Sequence, residues 1–501
     1  MPRYKYYDYT QTVLIPVELE KQLTPGTIEY VIHKLVEERV SVKSFEEKLN
    51  NDETGRPAYD PKVLLKIILL SYSRGIISSR KIERACEENV IFMAISAGQC
   101  PDHSTIAGFI TTMEAEVLPL FRDILLVCDE LKLLGGTSFA LDGLKLSSNA
   151  SKHWSGTHPE LQKKKEKLEK KIAKIIQQHK KLDKGGDKKQ DKNQKTKEDK
   201  QLESLRSKAD KIEKWLKENN PKIGKQGKEV KSNITDNDSC KMSTSSGVMQ
   251  GYNSQALVDE KHQIIVYSEA FGSGQDYSNV PPMIDGAKGN MKSLGNGGKY
   301  FKGKTLTADA NYHSTENLQK CEDEKIDAYI PDVDFRKRDS RFESQDKYKE
   351  KKVERYELED FAYNKKDDCY ICPMGKKLTR KSSRTIEKGY RQYACRQREC
   401  EVCEKKSKCI RMPAGKKKYL TIPVKEKTVT LSKRMRDKID TKQGREKYER
   451  RLAIVEPVFG NIKARKRMDY FTLRSKIKVN IQWTLYCAVH NLEKIANYAA
   501  I

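Results

Sequence analysis

Arg451-Leu452-Ala453-Ile454-Val455-Glu456-Pro457-Val458-Phe459-Gly460-Asn461-Ile462-Lys463 is a largely apolar segment carrying one acid, Glu456, and a later base, Lys463. At a period of 3.6 these two share a helix face. A carboxylate among Val455, Val458, Phe459 and Ile462 costs desolvation free energy unless a cation compensates it. Two upstream segments have a related character. In Phe139-Ala140-Leu141-Asp142-Gly143-Leu144-Lys145 and Thr305-Leu306-Thr307-Ala308-Asp309-Ala310-Asn311-Tyr312, a β-prone run ends in a lone aspartate followed by turn-compatible or polar residues. Two strand-end aspartates and a helix glutamate that converge make a carboxylate cluster able to hold two divalent metal ions, an arrangement that performs phosphoryl transfer on nucleic acid. The three acids are far apart in the chain, so only tertiary structure can bring them together. Read singly, Asp142 is a turn cap with Gly143, Asp309 caps a following helix, and Glu456 is a surface partner of Lys463.

Taken together, the three segments resemble the Asp, Asp and Glu motifs of DDE transposases from bacterial insertion sequences. The third segment is similar to that group's Tyr-Arg-Glu-Lys pattern, filled here by Tyr448, Arg451, Glu456 and Lys463, with Arg451 one residue further from Glu456 than the pattern has it. Where the family's second motif carries glycine, this chain has Asn311, which tolerates left-handed backbone. The resemblance implies an RNase H-like catalytic domain. In it Asp142, Asp309 and Glu456 are catalytic and bind two Mg²⁺ or Mn²⁺ ions, as suits hard oxygen ligands. Tyr448, Arg451 and Lys463 position DNA phosphates, arginine being able to fork two oxygens. The implied activity is cleavage of insertion-sequence ends and strand transfer to target DNA. The partners are then double-stranded DNA, as terminal inverted repeats and target, and a second protomer in a synaptic homodimer. A metal-dependent nuclease of the same fold, or a non-catalytic zinc-containing DNA-binding protein, are the alternatives.

Composition agrees with a polyanionic partner. Lys and Arg number 98 against 71 Asp and Glu, a net charge of +27, and basic residues that neutralise phosphates release counterions. No run of 18 apolar residues exists, so no membrane span is expected. Met1-Pro2-Arg3-Tyr4-Lys5 lacks the apolar core of a signal peptide. A cytoplasmic, nucleoid-associated protein is expected, with cysteines as thiols or metal ligands.

Six cysteines fall in one block: Cys369, Cys372, Cys395, Cys400, Cys403 and Cys409. Two CxxC pairs separated by a basic stretch are a zinc signal, and tetrahedral zinc takes four thiolates. The resemblance favours Cys372, Cys400, Cys403 and Cys409, with Cys369 and Cys395 as alternatives, in a structural staple for a subdomain with little core of its own.

The remaining patterning gives an α/β chain. Residues 1–135 read as an all-helical N-terminal domain: Asp60-Pro61 caps a strongly apolar helix from Lys62 to Arg74, Ser78-Ser79 caps a second and Asp102 a third. These helices suit a helix-turn-helix DNA reader or a helical cap docked on the catalytic domain. Residues 136–158 begin the mixed-sheet core, Asp142 lying near the end of its first strand. Leu161, Leu168, Ile175 and Leu182 recur at heptad spacing, and Leu202, Leu205, Ala209, Ile212 and Leu216 follow the breaker Lys184-Gly185-Gly186. This predicts an inserted lysine-rich helical hairpin or coiled coil over 159–222, with an unstructured tip over 184–199. The core resumes over 223–335. It includes a hairpin of Gln250–Val258 with Ile264–Tyr267, a helix near Val280–Ala287, the Asp309 strand, a helix from Ser314 to Glu324 and a strand at Ala328–Ile330. The inserted zinc module is expected over 336–440 and the C-terminal catalytic helices over 441–501. His490, on the last of these, is read as a buried histidine. Gln250–Gln255 is read as support for the sheet centre, without chemistry.

Overall fold

The computed structural model describes residues 16–48, 57–184, 192–224, 227–245, 247–345, 356–381, 390–410, 415–423 and 430–498. Two compact units result: residues 1–330 with 446–501, and residues 331–445. The start of the chain and part of the expected hairpin tip, residues 185–191, lie outside the described residues. No helix among the described residues is long and apolar enough to cross a membrane.

The first unit opens with helices α1 (Ile28–Glu38), α2 (Lys43–Glu46), α3 (Pro61–Ser73), α4 (Ser79–Glu88), α5 (Val90–Ile95), α6 (His103–Thr112) and α7 (Val117–Glu130). Local chemistry sets their starts. Asp60 accepts the Lys62 N–H at 2.7 Å with Pro61 in the first turn, and Asp102 accepts the N–H groups of Ser104 and Thr105.

The sheet follows, with strands β1 (Ser138–Ser147), β2 (Ser155–Gly156), β3 (Ser232–Asn233), β4 (Cys240–Thr244), β5 (Gly247–Asp259), β6 (Ile265–Phe271), β7 (Thr305–Ala308) and β8 (Asp327–Tyr329). β6, β5, β1, β7 and β8 lie side by side in that order, and β4 pairs with the first half of β5. The β6–β5–β1 pairings are antiparallel and the β1–β7–β8 pairings parallel. Helices α10 (Val280–Ser293) and α11 (Thr315–Asp323) make the crossovers around β7. β1 runs well past Asp142, which sits mid-strand rather than near its end, because β5 pairs with β1 as far as Ser147.

Between β2 and β3 rises the hairpin of α8 (His158–Lys184) and α9 (Lys192–Glu218). Part of the expected tip is therefore helical, since α9 is already formed at Lys192. The hairpin's base is pinned: His158 bonds Glu229 through its backbone N–H and Nδ1, and its Nε2 lies 2.9 Å from the Asn219 carbonyl. Leu161, Ile212, Trp215 and Ile234 form a small apolar cluster there.

The second unit contains helix α12 (Phe335–Arg338), an antiparallel meander of β9 (Ala362–Asn364), β10 (Cys369–Ile371), β11 (Lys377–Arg380), β12 (Tyr390–Cys395) and β13 (Tyr419–Pro423), and helices α13 (Gln397–Glu401), α14 (Lys406–Cys409) and α15 (Leu431–Ile439). Its core is small, with Phe361, Leu378, Tyr393, Cys395, Cys400 and Leu420 buried together.

The chain then forms α16 (Lys442–Gly460), a π-helical turn at Asn461–Arg465, and α17 (Lys476–Tyr498). Pro457 lies inside α16 and donates no hydrogen bond. The carbonyl it would have satisfied, that of Ala453, instead accepts from Gln263 Nε2 at 3.0 Å. α17 closes the sheet edge. Asn491 donates to and accepts from the Ile265 backbone, and Asn480 does the same at Ala270, so two side-chain amides act as the missing neighbour of β6. The amino-terminal helices belong to this unit and are not detached: α1, α3 and α7 pack on α17, and Tyr72 stacks on Tyr486 with ring centroids 4.7 Å apart. His490 is buried as expected, its Nε2 2.9 Å from the Gln263 carbonyl and its Nδ1 3.2 Å from Asn461 Nδ2.

Candidate active site

The register of β1 on β7 places two carboxylates together. Leu141 lies opposite Ala308 in parallel strands, so the next residues, Asp142 and Asp309, are neighbours. Both line one open cleft with Asp276, Asn311, Lys145 and Lys463. Asp142 accepts the Gly143 N–H at 2.8 Å and pairs with Arg451 Nη1 at 2.5 Å. Burial pushes the Asp142 carboxyl up; Arg451 and the Gly143 N–H oppose that shift, and Asp309 adds to it. Asp309 caps the turn Ala310–Tyr312, accepting the Asn311 N–H at 2.8 Å. The capping reading of Asp309 therefore holds alongside its place in the cleft. Asn311 is not left-handed: it sits in that capped 3₁₀ turn and is not among the positive-φ residues.

Glu456 is placed differently. It is exposed on α16 and does not line the cleft. The buried face of α16 carries Arg451, Ile454, Val455 and Val458, which turns Glu456 outward. Lys463 does line the cleft. The seven-residue spacing from Glu456 crosses from α-helix into the π turn, whose wider winding departs from the 3.6 period on which the shared face was expected. Arg451 is only 7% exposed. Its guanidinium is committed to Asp142 rather than to an open phosphate-binding surface, and its Nε finds no acceptor among the described residues. The half-buried Tyr448 ring stands 5.8 Å from that guanidinium. Among the described residues no three His, Cys, Asp or Glu side chains already converge as a metal site.

Sequence reasoning missed Asp276. Its Oδ1 accepts from Asn253 Nδ2 at 2.7 Å, Gln255 Nε2 at 3.0 Å and Asn279 Nδ2 at 3.4 Å. Gln255 also donates to Asn253 and accepts from the Tyr312 hydroxyl. A signal was present: Asn253 and Gln255 are polar residues two apart on a buried strand, facing the same way, and Gly143 lies opposite Gln255 in the register. Gly143 is required there by close approach. A Cβ would overlap Gln255 Nε2 and stand 2.7 Å from Asn253 Oδ1.

In the second unit, Cys372, Cys395, Cys400, Cys403 and Cys409 line one pocket. Burial raises the Cys409 thiol pKa, and the proximity of Cys400, Cys372 and Cys403 raises it further. Cys372 opens a tight turn closed by Gly375 at φ 74°, with the Lys376 N–H 3.3 Å from its sulfur. Cys395 instead donates to Glu399 at 3.3 Å. Cys369 is buried on β10 opposite Thr379, outside the pocket. All six are free thiols.

Residues 371–496 match the family model described as Transposase DDE domain, and residues 17–112 match one described as Transposase domain (DUF772). No curated protein and no solved structure shows a match. The first match spans five of the six block cysteines, from Cys372 onward, and the Tyr448–Lys463 segment, and the second covers most of the amino-terminal helices. These two matches support a DDE transposase of an insertion element.

Proposed function

We propose that this transposase cuts the ends of its insertion element and transfers them to target DNA in a divalent-metal-dependent reaction at the Asp142–Asp309 cleft. The observation that carries the reading is the parallel register that sets these two aspartates side by side. The strand order β6–β5–β1–β7–β8, antiparallel on one side of β1 and parallel on the other, supports an RNase H-like core. The donor set fits Mg²⁺ or Mn²⁺, being hard carboxylate oxygen in an open, polar cleft. When bound, such ions supply the Lewis acidity that activates an attacking hydroxyl and stabilises the leaving oxygen.

The protein's own residues do the rest. Arg451 balances the charge of Asp142 and fixes its side chain. Lys145 and Lys463 set positive charge in the cleft, where a DNA phosphate enters. Tyr448 packs beside Arg451, and Glu456, on the same helix, is the third carboxylate of the reading. Cys372, Cys400, Cys403 and Cys409 hold one structural zinc, because four thiols within electrostatic range flank a knuckle-like turn. The lysine-rich hairpin grips DNA, and two protomers act together on the paired ends in the cytoplasm.

One observation favours a second reading, a zinc-containing DNA-binding protein that does not cut: Glu456 stands outside the cleft. Strand cleavage of DNA carrying the element's ends, assayed with Mg²⁺ or Mn²⁺, separates the two. Asp142→Asn and Asp309→Asn should each abolish cleavage while DNA binding persists, and Glu456→Gln should do the same. Full cleavage by either aspartate variant overturns the catalytic reading, and full cleavage by Glu456→Gln removes that residue from the site.

A further inference from the structure

We propose that Asp276 is a further divalent-cation ligand of the cleft, supplying a carboxylate beside Asp142 and Asp309. This inference rests on the metal-dependent reading above. Asp276 is 9% exposed, yet it lines the same cleft as the other two aspartates. One of its oxygens, Oδ1, is held by three side-chain amides. The other, Oδ2, takes no hydrogen bond among the described residues. Asp276 also has no ion pair within them; the ammonium of Lys145, which lowers its pKa from a distance, donates to the Ser243 carbonyl.

A purely structural role does not account for this arrangement. Three amide donors need an acceptor, and asparagine would present the same Oδ1 without burying a charge. Burying an ionised carboxylate against neutral amides is costly without a compensating cation. The amides instead fix the carboxylate's orientation while leaving its charge available. Asp309 lies close enough to raise the Asp276 pKa further, so two anions face one cleft. The same network ties the two positions together, since Gln255 accepts from Tyr312 in the turn that Asp309 caps. The Gln250–Gln255 stretch thereby gains a chemical purpose: its Asn253 and Gln255 hold the ligand. The three aspartates do not yet meet at one point, because Asp142 is turned to Arg451.

The test uses the full chain. Mn²⁺ binding without DNA is followed by loss of the free-ion electron paramagnetic resonance signal. Cleavage is measured against Mg²⁺ concentration, and thermal stability is measured in chelator. Asp276→Asn should weaken Mn²⁺ binding about tenfold or more, about the effect of losing one strong contact, and raise the Mg²⁺ needed for half-maximal cleavage in parallel. Its thermal midpoint without metal should stay level or rise. Wild-type Mn²⁺ affinity in Asp276→Asn overturns the proposal. If that variant does not fold, Asn253→Ala keeps the charge but loosens it; weaker Mn²⁺ binding then supports the proposal and unchanged binding overturns it. Asp142→Asn separates the two levels of inference. Loss of Mn²⁺ binding in Asp142→Asn but not in Asp276→Asn removes only Asp276. Unchanged binding in both removes the metal-dependent reading itself.

Discussion

Replacing Gly143 with alanine should disable the cleft without touching a carboxylate. The added Cβ would overlap Gln255 Nε2 and crowd Asn253 Oδ1 at 2.7 Å. Gln255 cannot retreat freely, because it donates to Asn253 at 2.9 Å and to Asp276 at 3.0 Å and accepts from Tyr312. Overpacking a buried site costs roughly 1–3 kcal/mol. Each displaced bond adds about 1 kcal/mol, and the one to the Asp276 carboxylate about 1.5–3 kcal/mol. The total is about 4.5–8 kcal/mol, or roughly 5–10 °C in the thermal midpoint of a unit this large. Gln255→Ala removes the closest obstacle and leaves only the Asn253 contact, so Gly143→Ala should cost clearly less when added to Gln255→Ala than in the wild type. Differential scanning fluorimetry of the two single variants and the double variant closes the cycle. The reasoning fails if Gly143→Ala melts with the wild type, or if the two substitutions simply add.

Three further outcomes are expected. Burial, with Lys466 nearby, lowers the His490 pKa to about 3 from 6.5. The unfolded chain therefore binds the extra proton as pH falls below about 6.5, and His490 makes stability decline toward acid by up to about 1.4 kcal/mol per pH unit; urea midpoints between pH 7 and 5 should fall more steeply for wild type than for His490→Asn, and parallel profiles refute this. Protein purified without chelator should carry about one zinc per chain by metal analysis, and Cys400→Ser with Cys403→Ser should lose both the metal and the fold of residues 331–445; zinc-free protein with unchanged folding rejects the staple. DNA affinity should fall with salt at a log–log slope of roughly −5 or steeper; deleting residues 160–218 should make the slope shallower if the hairpin grips DNA, whereas loss of self-association at constant slope would mark it as a dimer arm.

The parts of this architecture that were legible in the sequence are those set by neighbouring residues. Asp60-Pro61 and Asp102 cap helices through their own backbone, and the alternation around Gln250–Val258 and Ile264–Tyr267 gives β5 and β6 directly. Asp142 and Asp309 could be singled out, but their adjacency depends on a strand register that no local pattern encodes. Asp276 sits in a loop whose composition reads as an ordinary turn, and only the approach of amides from β5 makes it distinctive. Arg451 looked like a phosphate contact because its partner is 309 residues away. The Glu456–Lys463 period assumes an unbroken α-helix, whereas a π turn begins at Asn461, before Lys463. Such turns carry little sequence signature and recur at functional sites.

The position of α17 has a consequence for synthesis. Its asparagines close β6, Trp483 donates to the Gln255 carbonyl beneath the cleft, and Tyr486 receives Tyr72. Until residues 476–498 leave the ribosome, the sheet has a bare edge and the amino-terminal helices lack the surface they cover. A nascent chain therefore holds both aspartate strands but not the packing that fixes β5 and β6 beside them. The sheet around Asp142 completes its packing only after residues 476–498 have been made.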